Sequence, residues 1–96
     1  MLFSITWNIY PHSQSDCLKA FGAMTPDDDK RDCGEDINML GRWSAVDGSS
    51  GVCICETENA SALFSWMANW TAACDIKVTP VLTDAESRAV IQTKNL

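Results

Sequence analysis

The sequence lacks three features that mark common classes of protein: a long apolar run, an excess of basic residues and a set of histidines. No apolar stretch approaches the roughly 20 residues that a membrane-spanning helix needs, so we expect no membrane segment. Seven lysine and arginine residues stand against thirteen aspartate and glutamate residues, a net charge of −6. Because nucleic acids and anionic membranes bind basic surfaces, this balance argues against both as partners. With His12 as the single histidine, a zinc or haem site is hard to build, and we expect no metal and no cofactor.

The cysteines and the N-terminus lack the signs of a secreted protein. The five cysteines are an odd number at irregular spacing, which is not the pattern of a disulfide framework. Residues 1–7 lack the basic stretch of a secretory signal, and their apolar residues alternate with polar ones. We therefore expect a cytoplasmic location. Cys53 and Cys55 share a strand face without a third ligand nearby, so we interpret them as small core residues.

What the sequence does contain is a regular order of strands and helices over residues 1–96, which is the length of one domain. Alternating apolar residues predict four strands, at 2–10, 39–46, 52–56 and 75–82. Apolar stripes at helical spacing predict helices at 14–24, from Asn59 to about Trp70, and from Asp84 onward. The order β-α-β-β-α-β plus a C-terminal helix is the split βαβ, ferredoxin-like pattern, an α+β fold with a four-stranded antiparallel sheet.

This pattern predicts a sheet with one covered and one bare face. Right-handed crossovers place both long helices on the face to which Phe3, Ile5, Trp7 and Ile9 point. The predicted bare face carries polar residues beside Leu40 and Val46: Thr6, Asn8, Tyr10, Arg42 and Ser44. A lone sheet with an uncovered face is marginal at this chain length. We therefore predict a homodimer in which a second copy covers the bare face and encloses a cavity.

The segment from Asp27 to Asp36 holds six acidic residues against Lys30 and Arg31. Such a segment is typical of a solvated, mobile loop, and we predict an acidic loop insert here. An EF-hand starting at Asp27 is excluded, because its sixth position would be Asp32 instead of glycine and its twelfth Asn38 instead of glutamate.

Five landmarks occur in order along the chain, and together they resemble a family of small bacterial domains of unknown function. They are the opening strand Met1-Leu2-Phe3 with Trp7, the strand Leu40-Gly41-Arg42-Trp43, the return Gly51-Val52-Cys53, the pair Trp66 and Trp70, and the ending Val78-Thr79-Pro80-Val81-Leu82. The family is similar to the dimeric α+β barrel superfamily. The resemblance implies a homodimer whose two four-stranded sheets face each other in one barrel. The acidic insert departs from the family, whose members usually carry a shorter glycine- and proline-rich link there.

The fold does not select a function, because the superfamily includes cofactor-free monooxygenases, isomerases, cyclases, haem-degrading enzymes and members without known activity. Our preferred hypothesis is that the barrel cavity binds a small organic ligand. The predicted ligand-binding residues are those of the bare face: Thr6, Asn8, Tyr10, Arg42 and Ser44. In this hypothesis Arg42 holds a carboxylate or enolate through two parallel hydrogen bonds, although it could instead form an ion pair, for instance with Glu56.

Two alternatives belong to other classes of protein. The chain could be a cofactor-independent isomerase, cyclase or monooxygenase, in which Arg42 stabilises an enolate and His12 or Tyr10 transfers the proton. This alternative requires His12 or Tyr10 to share a cavity with Arg42. The chain could also be a structural or protein-interaction module that uses the acidic insert.

Overall fold

The structure, a computed structural model, describes all 96 residues. The strands are β1 (Leu2–Ile9), β2 (Asn38–Ser44), β3 (Ser50–Glu56) and β4 (Cys74–Val81). The helices are α1 (Gln14–Gly22), α2 (Pro26–Cys33), α3 (Ala60–Ala68) and α4 (Asp84–Ile91), and a short 3-10 turn (Pro11–Ser13) precedes α1. No helix is both long and apolar enough to cross a membrane.

The four strands form one sheet in the order β2-β3-β1-β4, and every neighbouring pair is antiparallel. The predicted α+β, ferredoxin-like fold is thereby confirmed. In the middle of the sheet, Ile5 of β1 pairs with Cys53 of β3 and with Val78 of β4, so these three side chains share a face. Strand β4 lies at the edge, the position where a strand tolerates the missing N–H of Pro80.

Helices cover one face of the sheet, and the core lies between them. The buried core residues come from β1, β3, α3 and the segment before β2: Ile5, Ile37, Cys53, Cys55, Leu63 and Trp66. We call the other side the open face, and its residues on the inner strands are Ser4, Thr6, Asn8, Val52 and Ile54, with Trp43 from β2. Trp43 is 60% exposed, so this face presents an aromatic ring to solvent in the single chain.

Strand β2 contains a β-bulge, and the side chains after the bulge therefore point to faces opposite to those predicted. Its register against β3 shifts by one residue between Met39 and Gly41, because the extra residue of a bulge has no partner of its own. After the bulge, Arg42 pairs with Cys53 and points to the helix-covered face, whereas Trp43 points to the open face. The prediction that Arg42 and Ser44 share the bare face with Thr6 is therefore wrong.

The acidic segment is largely helical, so the prediction of a mobile loop over residues 27–36 is also wrong. Helix α2 begins with a capping box, in which the Asp28 N–H donates to Thr25 Oγ1 at 3.2 Å and the Thr25 N–H donates to Asp28 Oδ2 at 2.9 Å. Pro26 occupies the first turn, where its missing N–H is harmless. Gly34 ends the helix with a φ of 86°, a conformation that other residues rarely adopt.

Helix α4 extends beyond the rest of the fold. It begins with a second capping box, formed by Thr83 and Glu86, but its side chains are exposed apart from the half-buried Ser87. The principal dimensions of the chain are 50 × 28 × 19 Å. Its radius of gyration is 15.4 Å, compared with the about 12.5 Å of a typical domain of this length. The helix and its apolar residues Val90 and Ile91 therefore project from the sheet without a packing partner in the same chain.

Candidate functional site

A cavity of about 90 Å³ lies between the helix-covered face of the sheet and helices α1, α2 and α3. We call it the helix-covered cavity. Seventeen residues line it, and twelve of them are hydrophobic. Aromatic rings come from three elements and a turn, with Trp7 on β1, Phe21 on α1, Trp66 on α3 and Trp70 in the turn that follows α3. A mostly apolar concavity of this kind, with a few polar groups in its wall, is the usual form of a small-molecule site.

Trp7 reaches the wall of the cavity because its cross-strand neighbour is a glycine. Trp7 pairs with Gly51 on β3, and its indole lies directly against the Gly51 backbone. A Cβ atom added to Gly51 would lie 2.1 Å from Cζ2 of Trp7, far closer than real atoms approach. The position of this ring therefore depends on the absence of a side chain at residue 51.

Asp32 of α2 fixes the indole of Trp66 on α3 and that of Trp70 in the turn after it. The Trp66 Nε1–H donates to Asp32 Oδ2 at 3.0 Å, and the Trp70 Nε1–H donates to both carboxylate oxygens at 3.0 and 2.9 Å. The Asn69 amide donates to Oδ1 at 3.0 Å. No cationic side chain forms an ion pair with this carboxylate. Hydrogen bonds to an ionised carboxylate are about twice as strong as neutral ones, so Asp32 joins α2 to α3 at the cavity wall.

Arg42 lies in the wall opposite, held by α1 and α2. Its Nη2 donates to Asp29 Oδ1 at 3.0 Å, and this side chain is only 19% exposed. Its guanidinium carbon lies 4.8 Å from the centre of the Phe21 ring, a cation–π geometry. This hydrogen bond is the only one that the Arg42 guanidinium donates within the chain, and it uses one of the five guanidinium N–H groups. The remaining donors give the cavity a polar group that can bind an acceptor atom.

The thiols of the cavity wall are not activated. Burial raises the pKa of Cys53 to about 11, and the adjacent Cys55 adds to this effect. Burial, together with the neighbouring Cys17 thiol, raises the pKa of Cys74 to about 11. Because the thiolate is the nucleophilic form, thiols with such pKa values are poor nucleophiles at neutral pH. The cysteines therefore serve as apolar wall residues.

The structure divides the predicted site residues into three groups. Arg42 and Ser44 line the helix-covered cavity, whereas Thr6 and Asn8 lie exposed on the open face. Tyr10 and His12 lie past the end of β1, where their rings stack 5.9 Å apart at an angle of 2°, and neither lines the cavity. The shared cavity that the enzyme alternative requires for Arg42 with His12 or Tyr10 is therefore not formed. No group of three or more His, Cys, Asp or Glu side chains is placed to hold a metal ion.

Sequence reasoning missed Asp29 and Asp32 because it treated their segment as a loop. One signal was present, since Thr25-Pro26 followed by Asp28 is the start of a capped helix. On a helix, residues three apart share a face, which places Asp29 and Asp32 together. Nothing in the sequence links Asp32 to tryptophans 34 and 38 residues later.

The comparison with known families decides where this chain belongs. Residues 1–95 match the profile of DUF3303, a domain of unknown function. The chain belongs to the DUF3303 family. The predicted membership in a family of domains of unknown function is thereby confirmed. No curated protein matches the DUF3303 chain in sequence.

Two solved structures resemble this DUF3303 chain. Rv0793 from Mycobacterium tuberculosis is 17% identical with a TM-score of 0.50, and the match covers 88% of this chain and 97% of that protein. An uncharacterized NIPSNAP domain protein from Burkholderia xenovorans is 14% identical with a TM-score of 0.46, and the match covers 88% of this chain and 97% of that one. At 17% identity, the likeness to Rv0793 concerns the fold alone.

Proposed function

We propose that this DUF3303 domain is a homodimer that binds a small organic molecule in its helix-covered cavity. The observation that carries the ligand proposal is the cavity itself, whose twelve hydrophobic wall residues surround the partly unused donors of Arg42. Its volume of about 90 Å³ compares with the roughly 150 Å³ of an engineered cavity that accepts benzene. The enclosed part of a ligand is therefore no larger than about one six-membered ring.

The proposed cavity differs from the one expected between two sheets. Arg42 and Ser44 belong to the helix-covered cavity, so they would contact the ligand there. Thr6 and Asn8 lie on the open face, and we propose that they contact the second copy instead. Tyr10 and His12 have no ligand-binding role in this proposal, since they lie outside the cavity.

The exposed area of the single chain supports the homodimer. The chain exposes 6682 Å², about 1,250 Å² more than the roughly 5,400 Å² of a folded monomer of this mass. Two copies that hide this excess would bury about 2,500 Å² together, which lies in the range of obligate homodimers. Only nine of the 96 residues are buried in the single chain. Sedimentation equilibrium is expected to give twice the 10.5 kDa mass of the chain.

Neither alternative function gains support from the positions of its residues. The enzyme alternative lacks its predicted proton-transfer groups beside Arg42, because neither His12 nor Tyr10 lines the cavity. The interaction-module alternative depended on free acidic side chains between residues 27 and 36. Four of those six acids, however, make hydrogen bonds within the chain: Asp28, Asp29, Asp32 and Asp36.

A titration with benzyl alcohol, followed by tryptophan fluorescence, tests the ligand proposal. Binding beside Trp7, Trp66 and Trp70 should change their emission in a saturable way. The variant Ser44→Phe fills part of the cavity and should abolish the change. Ser61→Phe, which adds the same ring to the exposed side of α3, should leave it intact. If benzyl alcohol, phenol and cyclohexanol all fail to produce a saturable change, the ligand proposal is wrong.

We also propose a reducing compartment such as the cytoplasm as the location. All five cysteines are free thiols, and Cys17, Cys53, Cys55 and Cys74 are buried in that form. Disulfides form and persist in oxidising compartments, where unpaired thiols are uncommon. Expression with and without an export signal tests this location. If only the exported form folds, the proposed location is wrong.

A further inference from the structure

The charges around the helix-covered cavity indicate which class of ligand it binds. This inference rests on the proposed ligand-binding function. Asp32 is the first of these charges. Its carboxylate oxygens accept hydrogen bonds from Trp66, Asn69 and Trp70, which occupy most of the four acceptor positions of a carboxylate. None of these donors carries a positive charge, so the wall keeps one uncompensated negative charge.

The other two charges, those of Arg42 and Asp29, balance each other. Arg42 is bound to Asp29 at 3.0 Å, and the two side chains are 19% and 34% exposed. A ligand that approaches the free N–H groups of Arg42 therefore meets a guanidinium whose charge Asp29 already balances. A carboxylate ligand would gain hydrogen bonds from Arg42, but it would be repelled by both Asp29 and Asp32 in a partly water-excluded site.

A cationic ligand meets the opposite difficulty. Asp32 would attract it, but the oxygens of Asp32 already accept from three side chains, and Asp29, bound to Arg42, does not line the cavity. The face of Phe21, which could bind a cation, is already covered by Arg42. The cavity thus offers free hydrogen-bond donors, no free charged acceptor and a net negative wall.

We propose that Asp32 and Asp29 make the helix-covered cavity selective for uncharged ligands: molecules with an apolar part of about one ring and a carbonyl or hydroxyl oxygen that accepts from Arg42. In this arrangement Arg42 supplies the hydrogen bond and Asp29 removes its preference for anions. Asp32 excludes carboxylates while it holds the indoles that line the site.

Three probes of nearly equal shape test this selectivity: benzamide, benzoate and benzamidinium. Their binding is followed by NMR through the indole N–H resonances of Trp66 and Trp70, which report directly on the Asp32 hydrogen bonds. Benzamide is expected to shift both resonances and to bind about tenfold or more tightly than either charged probe. Benzoate is repelled by Asp32, and benzamidinium loses hydration without finding a free acceptor in the cavity.

The variant Asp32→Asn should selectively strengthen benzoate binding, since it removes the unpaired charge from the wall. Asp36→Asn makes the same change in charge next to Asn59, outside the cavity, and should leave the order of the probes unchanged. If Asp32→Asn does not fold, the order of the affinities of the three probes for the wild-type protein tests the selectivity proposal by itself.

The outcomes separate the two proposals. Benzoate or benzamidinium binding as tightly as benzamide would overturn the selectivity proposal and leave the ligand site in place. If none of the three probes shifts the Trp66 or Trp70 resonance, while Ser44→Phe also fails to affect benzyl alcohol binding, the ligand site itself is refuted.

Discussion

Two glycines show how single residues position aromatic rings on opposite faces of this sheet. Gly51 contacts the half-buried Trp7 on the helix-covered face, and Gly41 contacts Trp43, which is 60% exposed on the open face. A Cβ atom would lie 2.1 Å from the first ring and 2.3 Å from the second. The contacts are similarly close, but in the single chain only Trp43 has open solvent into which its ring can move.

Gly51→Ala is therefore expected to lower the free energy of unfolding by about 1–3 kcal/mol, the usual range for an overpacked interior. The displaced Trp7 ring should also alter ligand binding in the cavity. Gly41→Ala is the matched control, and its effect on the unfolding of the monomer should be smaller, as measured by urea denaturation. An equal loss in both variants would mean that Trp7 is no more constrained than Trp43.

Because the thiols of Cys53 and Cys74 are buried, the stability of the fold should decrease in alkali. Burial raises the pKa of each from 9.0 to about 11. A group whose pKa is higher in the folded state stabilises the fold fully below the unfolded pKa, and this contribution is lost as the pH rises through the folded value. The melting temperature should therefore fall between pH 9 and about 11.

Cys53→Ala should reduce the alkaline fall in melting temperature, because it removes one of the two thiols whose pKa is raised to about 11. The control is Cys33→Ala, which removes a thiol that is only partly buried. Thermal melts of the three proteins across this pH range provide the measurement. Identical alkaline profiles for wild type and Cys53→Ala would show that the Cys53 thiol does not contribute to the loss.

At the scale of elements, α2 and the bulge in β2 were the two features that sequence patterns did not predict. The β-α-β-β-α-β order was predictable, because alternation and helical stripes are local and strong in β1, β3 and α3. The acidic run concealed α2, since its residues contact the rest of the fold through hydrogen bonds instead of an apolar stripe. Gly41 could have signalled the bulge, because an isolated glycine in a strand often marks one.

The bulge had the larger consequence for the site. A shift of one residue moves every later side chain of a strand to the other face. It therefore separated Arg42 and Ser44 from Thr6 and Asn8, which simple alternation along β2 had placed together. The apolar half of the cavity was predictable from the stripes on β1 and α3, whereas its polar half required the three-dimensional contacts of α2.

Because the capping box of α2 includes the Asp28 carboxylate, its contribution to stability should be lost in acid. Hydrogen bonds from the backbone and side chain of Thr25, together with the bond from Arg31, lower the pKa of Asp28. A carboxyl group with a lowered pKa stabilises the folded state above its ordinary value of 3.8, and this contribution is lost as the pH falls through the folded value. Asp28→Ala should therefore destabilise the protein at neutral pH and make little difference in strong acid.

Asp27→Ala is the appropriate control, because Asp27 lies in the same turn of α2 and takes no part in the capping box. Chemical denaturation at neutral and strongly acidic pH measures the effect. A difference between wild type and Asp28→Ala that persists unchanged in acid would indicate that the side chain acts through packing and not through its charge.

At the scale of the whole molecule, the single chain leaves two apolar surfaces uncovered. The open face carries Trp43, Val52 and Ile54 without a covering layer, and α4 extends from the edge strand with Val90 and Ile91 exposed. Both features leave apolar surface on the single chain, and both would be explained by one partner. An identical copy satisfies this requirement most simply, because a two-fold interface pairs a surface with itself.

Ile54→Glu provides the sharpest test of that assembly. Ile54 lies on β3 in the interior of the open face, so a glutamate there is hydrated in the monomer but buried without a cation in the dimer. The dimer dissociation constant should rise about a hundredfold or more, since each copy contributes one buried charge. The folded monomer should persist, and sedimentation equilibrium combined with circular dichroism distinguishes dissociation from unfolding.

Phe64→Glu is the matched control, because Phe64 is 78% exposed on α3 and the same change in side chain falls on the helical side of the sheet. If copies associate through the open face, Phe64→Glu stays dimeric and Ile54→Glu becomes monomeric. If the opposite pattern is found, the helices form the interface, and the mouth of the helix-covered cavity would then lie near a second chain. The two variants therefore determine both the oligomeric state and the route by which a ligand can enter.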